Sequence, residues 1–396
     1  MSNQPDVVIL SACRTAIGKF QGSLAGFSAP QIGSFAVREA VKRAGVDPKE
    51  VQECIMGHVV QAGAGQAPAR QAAIHGGLAP ETACITINKV CGSGLKAVML
   101  AAQAIKAGDS DLILAGGMES MSNAPYALPN ARTGFRLGNQ QAEDLMIKDG
   151  LWDSFNNYHM GSAAEYTQQK SGVSRDEQDE YAYNSHRKAC AAMEAGKFKN
   201  EIFDVLLPQR KGDPIAFNVD ESSRKDISVD QLAKLKPAFQ KDGTVNAGNA
   251  PGLNDGGAAL VVSSSGYAEA NGLKPIARVT GYTVAGTPPQ DLFFAPIYAV
   301  QKLMKKMNVD INHFDLIEAN EAFSVQALAD GKALGWDWNR VNVNGGAVAL
   351  GHPIGASGAR ILTTLIYALK DRGKKTGMAT LCLGGGNAVA LAIEII

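Results

Sequence analysis

Two apolar runs decide the fold of this chain: Leu112-Ile113-Leu114-Ala115-Gly116-Gly117 and Thr380-Leu381-Cys382-Leu383-Gly384-Gly385. Each follows a helix-period segment that begins at a Gly/Ser turn, Cys91-Gly92-Ser93-Gly94 in the first case and Gly355-Ala356-Ser357-Gly358 in the second. A short apolar run that ends in glycines is typical of a buried strand. The sequence therefore predicts the same order of turn, helix and buried strand at two places in the chain.

The repeat extends beyond these segments. Upstream, Val46-Asp47 recurs 263 residues later as Val309-Asp310, and each pair precedes a short apolar strand. Downstream, the second copy continues directly into a strand at 388–393, whereas the first copy has its counterpart only at 258–262. Convergence is the alternative explanation, since any two β-α-β units look alike. Five ordered features at one offset favour a duplicated α/β chain, in which strands alternate with helices.

Because the strand at 258–262 follows so far behind the rest of the first copy, we infer that the first copy carries an insertion. We predict a first half made of residues 1–118 and 250–270, an inserted loop domain at 119–249, and a second half at 271–396. In an open α/β sheet, ligands bind where strands end and helices begin. The functional site is therefore expected at the two Gly/Ser turns, one in each copy.

Composition excludes several classes of function. The 396 residues contain 38 Lys+Arg and 38 Asp+Glu, a formal net charge of zero, which gives no general attraction to nucleic acid. No apolar run approaches the roughly 18 residues that span a bilayer, and the first residues lack the basic segment of a secretory leader. The six cysteines form no C-x-x-C pair and show no zinc-ligand spacing. We therefore expect a cytoplasmic protein with free thiols, no bound metal and no membrane segment.

Each turn region carries a candidate reactive group. Cys91 comes immediately before a predicted helix, where unpaired N–H groups and the helix dipole favour a thiolate. Most free cysteines are simply small buried hydrophobes, but the glycines beside Cys91 favour a nucleophile. His352 lies in a Gly/Pro loop, Gly351-His352-Pro353, where it would act as a base with a pKa near neutrality.

Two further residues admit two interpretations each. Cys382 ends a buried strand and is as typical of a structural residue as of a catalytic one. The glycine N–H groups that follow it, including that of Gly384, would suit an oxyanion hole, because no side chain shields them. Asn320 follows the strand of the second copy, and a helix cap is a common role for asparagine. Spacing alone does not separate these alternatives.

Four motifs, in this order along the chain, resemble the signature blocks of the thiolase family. The resemblance runs from Arg14-Thr15-Ala16-Ile17-Gly18 to the last strand, and the inserted Tyr158-His159-Met160-Gly161 is similar to the biosynthetic, acetoacetyl-coenzyme A branch. The motifs are Asn88-x-x-Cys91-Gly92-Ser93-Gly94, Asn320-Glu321-Ala322-Phe323, Asn344-x-x-Gly-Gly-Ala-x-Ala-x-Gly351-His352-Pro353-x-Gly-x-Ser-Gly358 and Cys382-x-Gly-Gly.

The resemblance implies a duplicated thiolase fold in five layers, αβαβα, with a loop domain inserted in the first half. It implies an acetyl-CoA C-acetyltransferase activity, the reversible Claisen condensation of two acetyl-CoA to acetoacetyl-CoA and CoA. Cys91 would carry the acetyl group in a ping-pong mechanism, and His352 would activate its thiol. Cys382 would move the α-proton of the second acetyl-CoA. Asn320 would hold a water in one oxyanion hole, and the N–H groups of Cys91 and Gly384 would form another.

The resemblance also implies the contacts to coenzyme A. His159, Met160, Arg224 and Leu253 match coenzyme A-contacting positions, and Ala322 and Phe323 belong to a substrate-binding motif. Arg224 suits a phosphate, although its charged neighbours are also typical of a solvated surface. Pro251 departs from the family, because it replaces a serine whose hydroxyl meets the pantetheine, and proline offers no such group. The thioesters are substrates, so no separate cofactor is expected.

Three alternatives remain beside the main interpretation. The first is a 3-ketoacyl-CoA thiolase of broader chain-length range. The second is a condensing enzyme that uses acyl carrier protein, which Cys382 disfavours, since such enzymes lack a second catalytic cysteine. The third is an inactive acyl-CoA carrier. The resemblance further implies a homotetramer, a dimer of dimers, with residues 124–139 at the position of a tetramer-forming loop.

Overall fold

The computed structural model describes residues 5–396. The strands and helices predicted in the two copies are present. The strands are β1 Val7–Arg14, β2 Gly18–Lys19, β3 Glu53–Gly57, β4 Ala83–Ile87, β5 Leu112–Ser120, β6 Tyr126–Ala127, β7 Glu143–Asp144, β8 Trp152–Asp153, β9 Tyr158–His159, β10 Val205–Leu207, β11 Ile215–Phe217, β12 Asn254–Ser264, β13 Ala277–Gly286, β14 Leu316–Ala319, β15 Thr376–Leu383 and β16 Asn387–Ile395. The α-helices are α1 Ala29–Ala44, α2 Pro68–His75, α3 Ser93–Ala107, α4 Met160–Ser171, α5 Arg175–Glu194, α6 Val229–Ala233, α7 Ser265–Ala270, α8 Ala295–Met307, α9 Ser324–Leu334, α10 Ala347–Leu350 and α11 Ile354–Asp371.

The sheet topology repeats the duplication seen in the sequence. In the first half the strand order is β4-β3-β5-β12-β1, with parallel pairing among β4, β3 and β5 and antiparallel pairing beyond β5. In the second half the order is β14-β15-β16-β13, again parallel first and antiparallel afterwards. A bridge between Ile317 and Val341 supplies the position that β4 occupies in the first half. A short pairing of β1 with β13 joins the halves.

The layers follow from which helix packs on which sheet. Helices α1 and α2 cover the first half, α8 covers the second, and α3 and α11 pack against each other between the two sheets. The central helices approach closely through glycines. A Cβ on Gly94 would lie 2.6 Å from the backbone N of Ala359, and one on Gly358 would lie 2.3 Å from the backbone N of Leu95. The five-layer αβαβα fold expected from the sequence is confirmed.

The segment between β5 and β12 holds the short strands β6–β11 and the helices α4–α6. Strand β5 continues to Ser120, and β12 begins at Asn254. The domain boundaries predicted at 118/119 and 249/250 stay a prediction. Within residues 5–396, no helix combines the length and the apolar character needed to cross a membrane.

Candidate functional site

A cavity of about 370 Å³ lies where both halves meet the inserted segment. Cys91 contributes from the first half, and His352, Cys382 and Gly384 contribute from the second. The walls are mostly apolar, which removes water and strengthens any electrostatic interaction inside. The other lining residues are Val90, Met121, Met146, Ile147, Gly150, Leu151, His159, Met160, Ala238, Phe239, Asn246, Ala247, Ala250, Pro251, Gly252, Leu253, Leu292, Phe293, Ala322, Phe323 and Ile354.

The turn that presents Cys91 is built by two polar side chains. The Asn88 side chain accepts the N–H of Val90 at 2.9 Å. The Ser93 hydroxyl accepts the N–H of Lys89 at 2.8 Å and donates to the carbonyl of Val90 at 2.7 Å. These bonds hold Val90 at φ +47°, a left-handed conformation that is rare for a β-branched residue. Backbone strain of this kind, stored beside Cys91, is a frequent feature of functional sites.

Glycine at position 92 lets this turn touch the second half. A Cβ there would lie only 2.0 Å from Cδ2 of Leu383, the last residue of β15. The start of helix α3 therefore sits directly against the end of the strand that carries Cys382. This close approach brings Cys91 and Cys382 to one cavity.

The Cys91 thiol is protonated at neutral pH, in contrast to the thiolate expected from its place before a helix. Burial raises its pKa to about 12. The N–H groups of Cys91 itself and of Gly384 face the sulfur and oppose that rise, and the negative charge of Glu119 adds to it. The rise in the pKa of Cys91 caused by desolvation is larger than the lowering caused by the helix terminus. The sulfur therefore needs a base before it can attack.

His352, which lines the same cavity as Cys91, is a neutral imidazole. Its Nδ1 lies 2.6 Å from the hydroxyl of Ser357, which itself donates to the carbonyl of Pro353 at 2.9 Å. Since the hydroxyl proton is committed, the Ser357 oxygen accepts from Nδ1–H, and Nε2 carries the lone pair. In the described part of the chain, Nε2 has no hydrogen-bond partner. Burial, assisted by the charge of Arg360, lowers the pKa of His352 to about 3, well below the near-neutral value expected from the sequence.

The backbone of the His352 loop is held by Asn254 from the first half. The Asn254 side chain accepts the N–H of His352 at 2.9 Å and donates to the carbonyl of Gly18 and the hydroxyl of Ser222, both at 3.0 Å. Gly351 has φ +111°, and a Cβ there would lie 2.5 Å from the Asn254 amide. Glycine is required at position 351, because only glycine readily adopts this positive φ and leaves room for the Asn254 side chain.

Cys382 and Asn320 complete the second side of the site. Burial holds the pKa of the Cys382 thiol well above its usual range, and nearby Cys91 and Asp330 add to the effect. Asn320 is buried, and neither atom of its side-chain amide has a partner among residues 5–396. It does not cap helix α9, whose N-cap residue is Phe323. A buried amide without a partner is costly, which makes a functional role the better explanation.

The predicted coenzyme A contacts divide into two groups. His159, Met160 and Leu253 line the cavity, as do Ala322 and Phe323. Arg224 does not. It is exposed and lines a separate cleft of about 310 Å³ with residues 225–227, 231, 232 and 235.

His159 serves the fold as well as the cavity. Its Nδ1 accepts the N–H of Gly161 at 3.0 Å and so caps helix α4, while its ring stacks on Phe239 at 4.9 Å between centroids. Burial lowers the pKa of His159, which keeps the ring neutral. A neutral, stacked ring is suited to contact with an uncharged part of a ligand.

Three residues of the site were not singled out in the sequence: Ser357, Asn254 and Glu119. Ser357 lies in a quoted turn, but its contact with His352 depends on helix geometry. Asn254 and Glu119 act across the interface between the halves, so no local pattern indicates them. A carboxylate at position 119, next to the end of a fully buried strand, was the one available signal.

Residues 5–396 contain no group of three or more His, Cys, Asp or Glu side chains arranged to hold a metal ion.

The fold and the cavity define a two-half α/β protein with cysteine and histidine at one buried site. Comparison with known proteins agrees with this two-half description. The family models for the thiolase N-terminal and C-terminal domains match residues 7–266 and 273–395. The chain therefore belongs to the thiolase family.

Its relatives are similar over nearly their whole length. An acetyl-CoA acetyltransferase of Cupriavidus necator is 54% identical over 98% of this chain and 99% of its own. One of Chromobacterium violaceum is 53% identical over the same shares. A crystal structure of the Bacillus anthracis acetyl-CoA acetyltransferase superposes with a TM-score of 0.97, at 44% identity and over 99% of both chains.

Proposed function

We propose that this protein is an acetyl-CoA C-acetyltransferase, which condenses two acetyl-CoA to acetoacetyl-CoA and CoA and catalyses the reverse thiolysis. The observation that carries the proposal is the arrangement around one sulfur. Cys91, His352 and Cys382 line the same apolar cavity, and the N–H of Gly384 faces the Cys91 sulfur. The relatives that carry this activity in their names support the choice of substrate.

In the first half-reaction, Nε2 of His352 takes the proton of the Cys91 thiol. The sulfur attacks the thioester carbonyl of acetyl-CoA, and negative charge develops on the carbonyl oxygen. The N–H groups of Cys91 and Gly384 would stabilise that charge. The C–S bond to coenzyme A then breaks, the leaving thiolate takes the proton from His352, and Cys91 remains acetylated.

In the second half-reaction, the neutral His352 takes the proton of the Cys382 thiol, and the resulting Cys382 thiolate removes the α-proton of a second acetyl-CoA. Such a proton is weakly acidic, so the base must be strong, and the Cys382 thiolate is a strong base because burial raises the pKa of its thiol. His352, together with a water held by Asn320, would stabilise the enolate oxygen. The carbanion attacks the acetyl group on Cys91, acetoacetyl-CoA forms, and the released Cys91 sulfur regains a proton from His352, which returns to its neutral state.

Substrate contacts follow from the lining. Met160 and Phe323 line the apolar cavity with large side chains, which would favour a short acyl group over the longer chains of a broad-range 3-ketoacyl-CoA thiolase. His159 and Leu253 would contact the pantetheine arm. Arg224, in its own cleft, would meet a phosphate of coenzyme A. The reacting carbons all come from coenzyme A thioesters, so the reaction needs no further cofactor.

We further propose a cytoplasmic homotetramer that has no nucleic-acid partner. Residues 124–139 support the oligomer, because they expose large apolar side chains that a monomer would leave in water. Leu137 is fully exposed, and Tyr126, Leu128 and Phe135 are also exposed. The edge strand β4 likewise exposes Ile85. Light scattering tests this proposal, and a monomeric mass would contradict it.

The activity is tested by thiolysis of acetoacetyl-CoA with free CoA, with separation of the products. The wild-type protein is expected to yield acetyl-CoA, Cys91→Ala is expected to lose the activity, and Cys190→Ala, a thiol outside the cavity, is expected to retain it. A series of 3-oxoacyl-CoA substrates of increasing length separates the alternatives. Equal turnover of long and four-carbon substrates would indicate the broad-range enzyme, and dependence on acyl carrier protein would indicate the condensing enzyme.

A further inference from the structure

Glu119, the penultimate residue of β5, is a buried carboxylate that the mechanism above does not use. It is 0% exposed. No Lys or Arg in residues 5–396 forms an ion pair with it, and its polar neighbours are backbone N–H groups and one imidazole. They are the N–H groups of Val59 at 3.1 Å, Val60 at 3.2 Å and Gly355 at 2.9 Å, and Nε2 of His58 at 3.3 Å.

These contacts join the two halves of the molecule. Val59 and Val60 belong to the loop after β3, in the first half, whereas Gly355 is the second residue of helix α11, in the second. A carboxylate at a helix N-terminus also interacts favourably with the helix dipole. Glycine makes the approach possible, because a Cβ on residue 355 would lie 2.7 Å from Oε2 of Glu119.

Both joined segments border the nucleophile. His352 lies two residues before Ile354, the first residue of α11. Ile354 packs with Val59 and Val60 in an apolar cluster that Cys91 also contacts. Glu119 thus holds the start of the helix that follows His352 and the loop that supports Cys91.

We propose that Glu119 is a positioning residue for the acetyl transfer: its carboxylate fixes the His352 loop of the second half against Cys91 of the first. The inference rests on the proposed function for its catalytic consequence. Glu119 does not line the cavity, so it acts through the backbone it holds. Misplacement of reacting groups by about 1 Å can cost a factor on the order of 10² in rate.

Two substitutions separate the reach of the side chain from its charge. Glu119→Gln keeps the length but removes the charge and presents an N–H₂ to backbone donors. Glu119→Asp keeps the charge but is too short to reach both loops. Each is expected to lower kcat about tenfold to a hundredfold, with KM changed less than about threefold. Glu180→Gln, an exposed carboxylate on α5, is the matched control and is expected to leave both constants unchanged.

The pH dependence of Cys91 alkylation by iodoacetamide measures the effect of the Glu119 charge separately from catalysis. Because the negative charge of Glu119 raises the pKa of Cys91, Glu119→Gln is expected to shift the alkylation profile to lower pH while kcat falls. Glu119→Asp is expected to leave the profile in place. Cys13, buried away from the cavity, reports unfolding and is expected to stay unlabelled in every variant.

Hydrogen exchange makes the test independent of substrate. Peptides covering 58–61 and 352–356 are expected to exchange faster in both Glu119 variants than in wild type. Wild-type kcat in both variants, or unchanged exchange in those peptides, overturns the proposal. If the wild-type protein fails to cleave acetoacetyl-CoA, the proposed function fails, and the exchange result still decides whether Glu119 holds the two loops.

Discussion

Replacing Ser357 with alanine removes the group that orients the ring of His352. The Ser357 oxygen accepts from Nδ1–H at 2.6 Å, which leaves Nε2 free to take the thiol proton. In Ser357→Ala the Nδ1–H would be buried without a partner, at a cost of about 1–3 kcal/mol. The ring would shift toward the tautomer protonated at Nε2, which cannot act as the base. Since 1.36 kcal/mol is a factor of ten, the reactive tautomer loses about 5- to 150-fold in population.

Steady-state thiolysis kinetics measure this loss. We expect kcat/KM of Ser357→Ala to fall by a factor within that range, with an unchanged oligomeric state. Ser324→Ala is the matched control, because Ser324 is also fully buried but its hydroxyl has no partner among the described residues. The kcat/KM of Ser324→Ala is expected to stay within about twofold of the wild-type value. Equal kcat/KM for Ser357→Ala and wild type would refute the proposed orientation of the ring.

Other predictions concern acid stability, charge stabilisation and ligand affinity. Burial lowers the pKa of His352 to about 3 and that of His186 to about 4. Both rings bind protons more tightly when unfolded, so their stabilisation is complete above about pH 6.5 and lost as pH falls toward these values. Urea midpoints are therefore expected to drop between pH 7 and pH 4.5, less steeply in His186→Gln, and an identical slope in that variant would contradict the assignment. Asn320→Ala is expected to lower kcat about 10²- to 10³-fold with little change in Tm, and kcat within tenfold of wild type would contradict its role. Pro251→Ser is expected to restore a hydrogen bond to pantetheine and lower the KM for CoA about fivefold, whereas an unchanged KM would show that the position makes no such contact.

The duplication was readable in the sequence because buried strands and glycine turns are local signals. Strands β3 and β14 begin at Glu53 and Leu316, separated by the 263 residues found by comparing the two copies. Helices α3 and α11 begin at the two turns that were aligned. The pairing of these helices in a central layer was implied by the family resemblance, and glycines at the contact make it possible.

The electrostatics of the site were not readable in the same way. The position of Cys91 before a helix favours a thiolate, and the loop around His352 favours a base with a pKa near neutrality. Both arguments use neighbours in sequence, whereas burial comes from the other half and from the inserted segment. Desolvation therefore keeps Cys91 as a thiol instead of the expected thiolate, and it lowers the pKa of His352 below the near-neutral value expected. The clamps by Asn254 and Glu119 are likewise contacts between halves, made by residues 98 and 236 positions away from their partners.

The central claim is that the sulfur of Cys91 carries the acetyl group between two molecules of coenzyme A. Rapid acid quench during turnover with acetyl-CoA, followed by mass spectrometry of the peptide containing residue 91, tests it directly. We expect one added acetyl group on that peptide in wild-type protein, and a larger acetylated fraction in Cys382→Ala, which would acylate but not condense. An unmodified residue 91 while acetoacetyl-CoA accumulates would contradict the account.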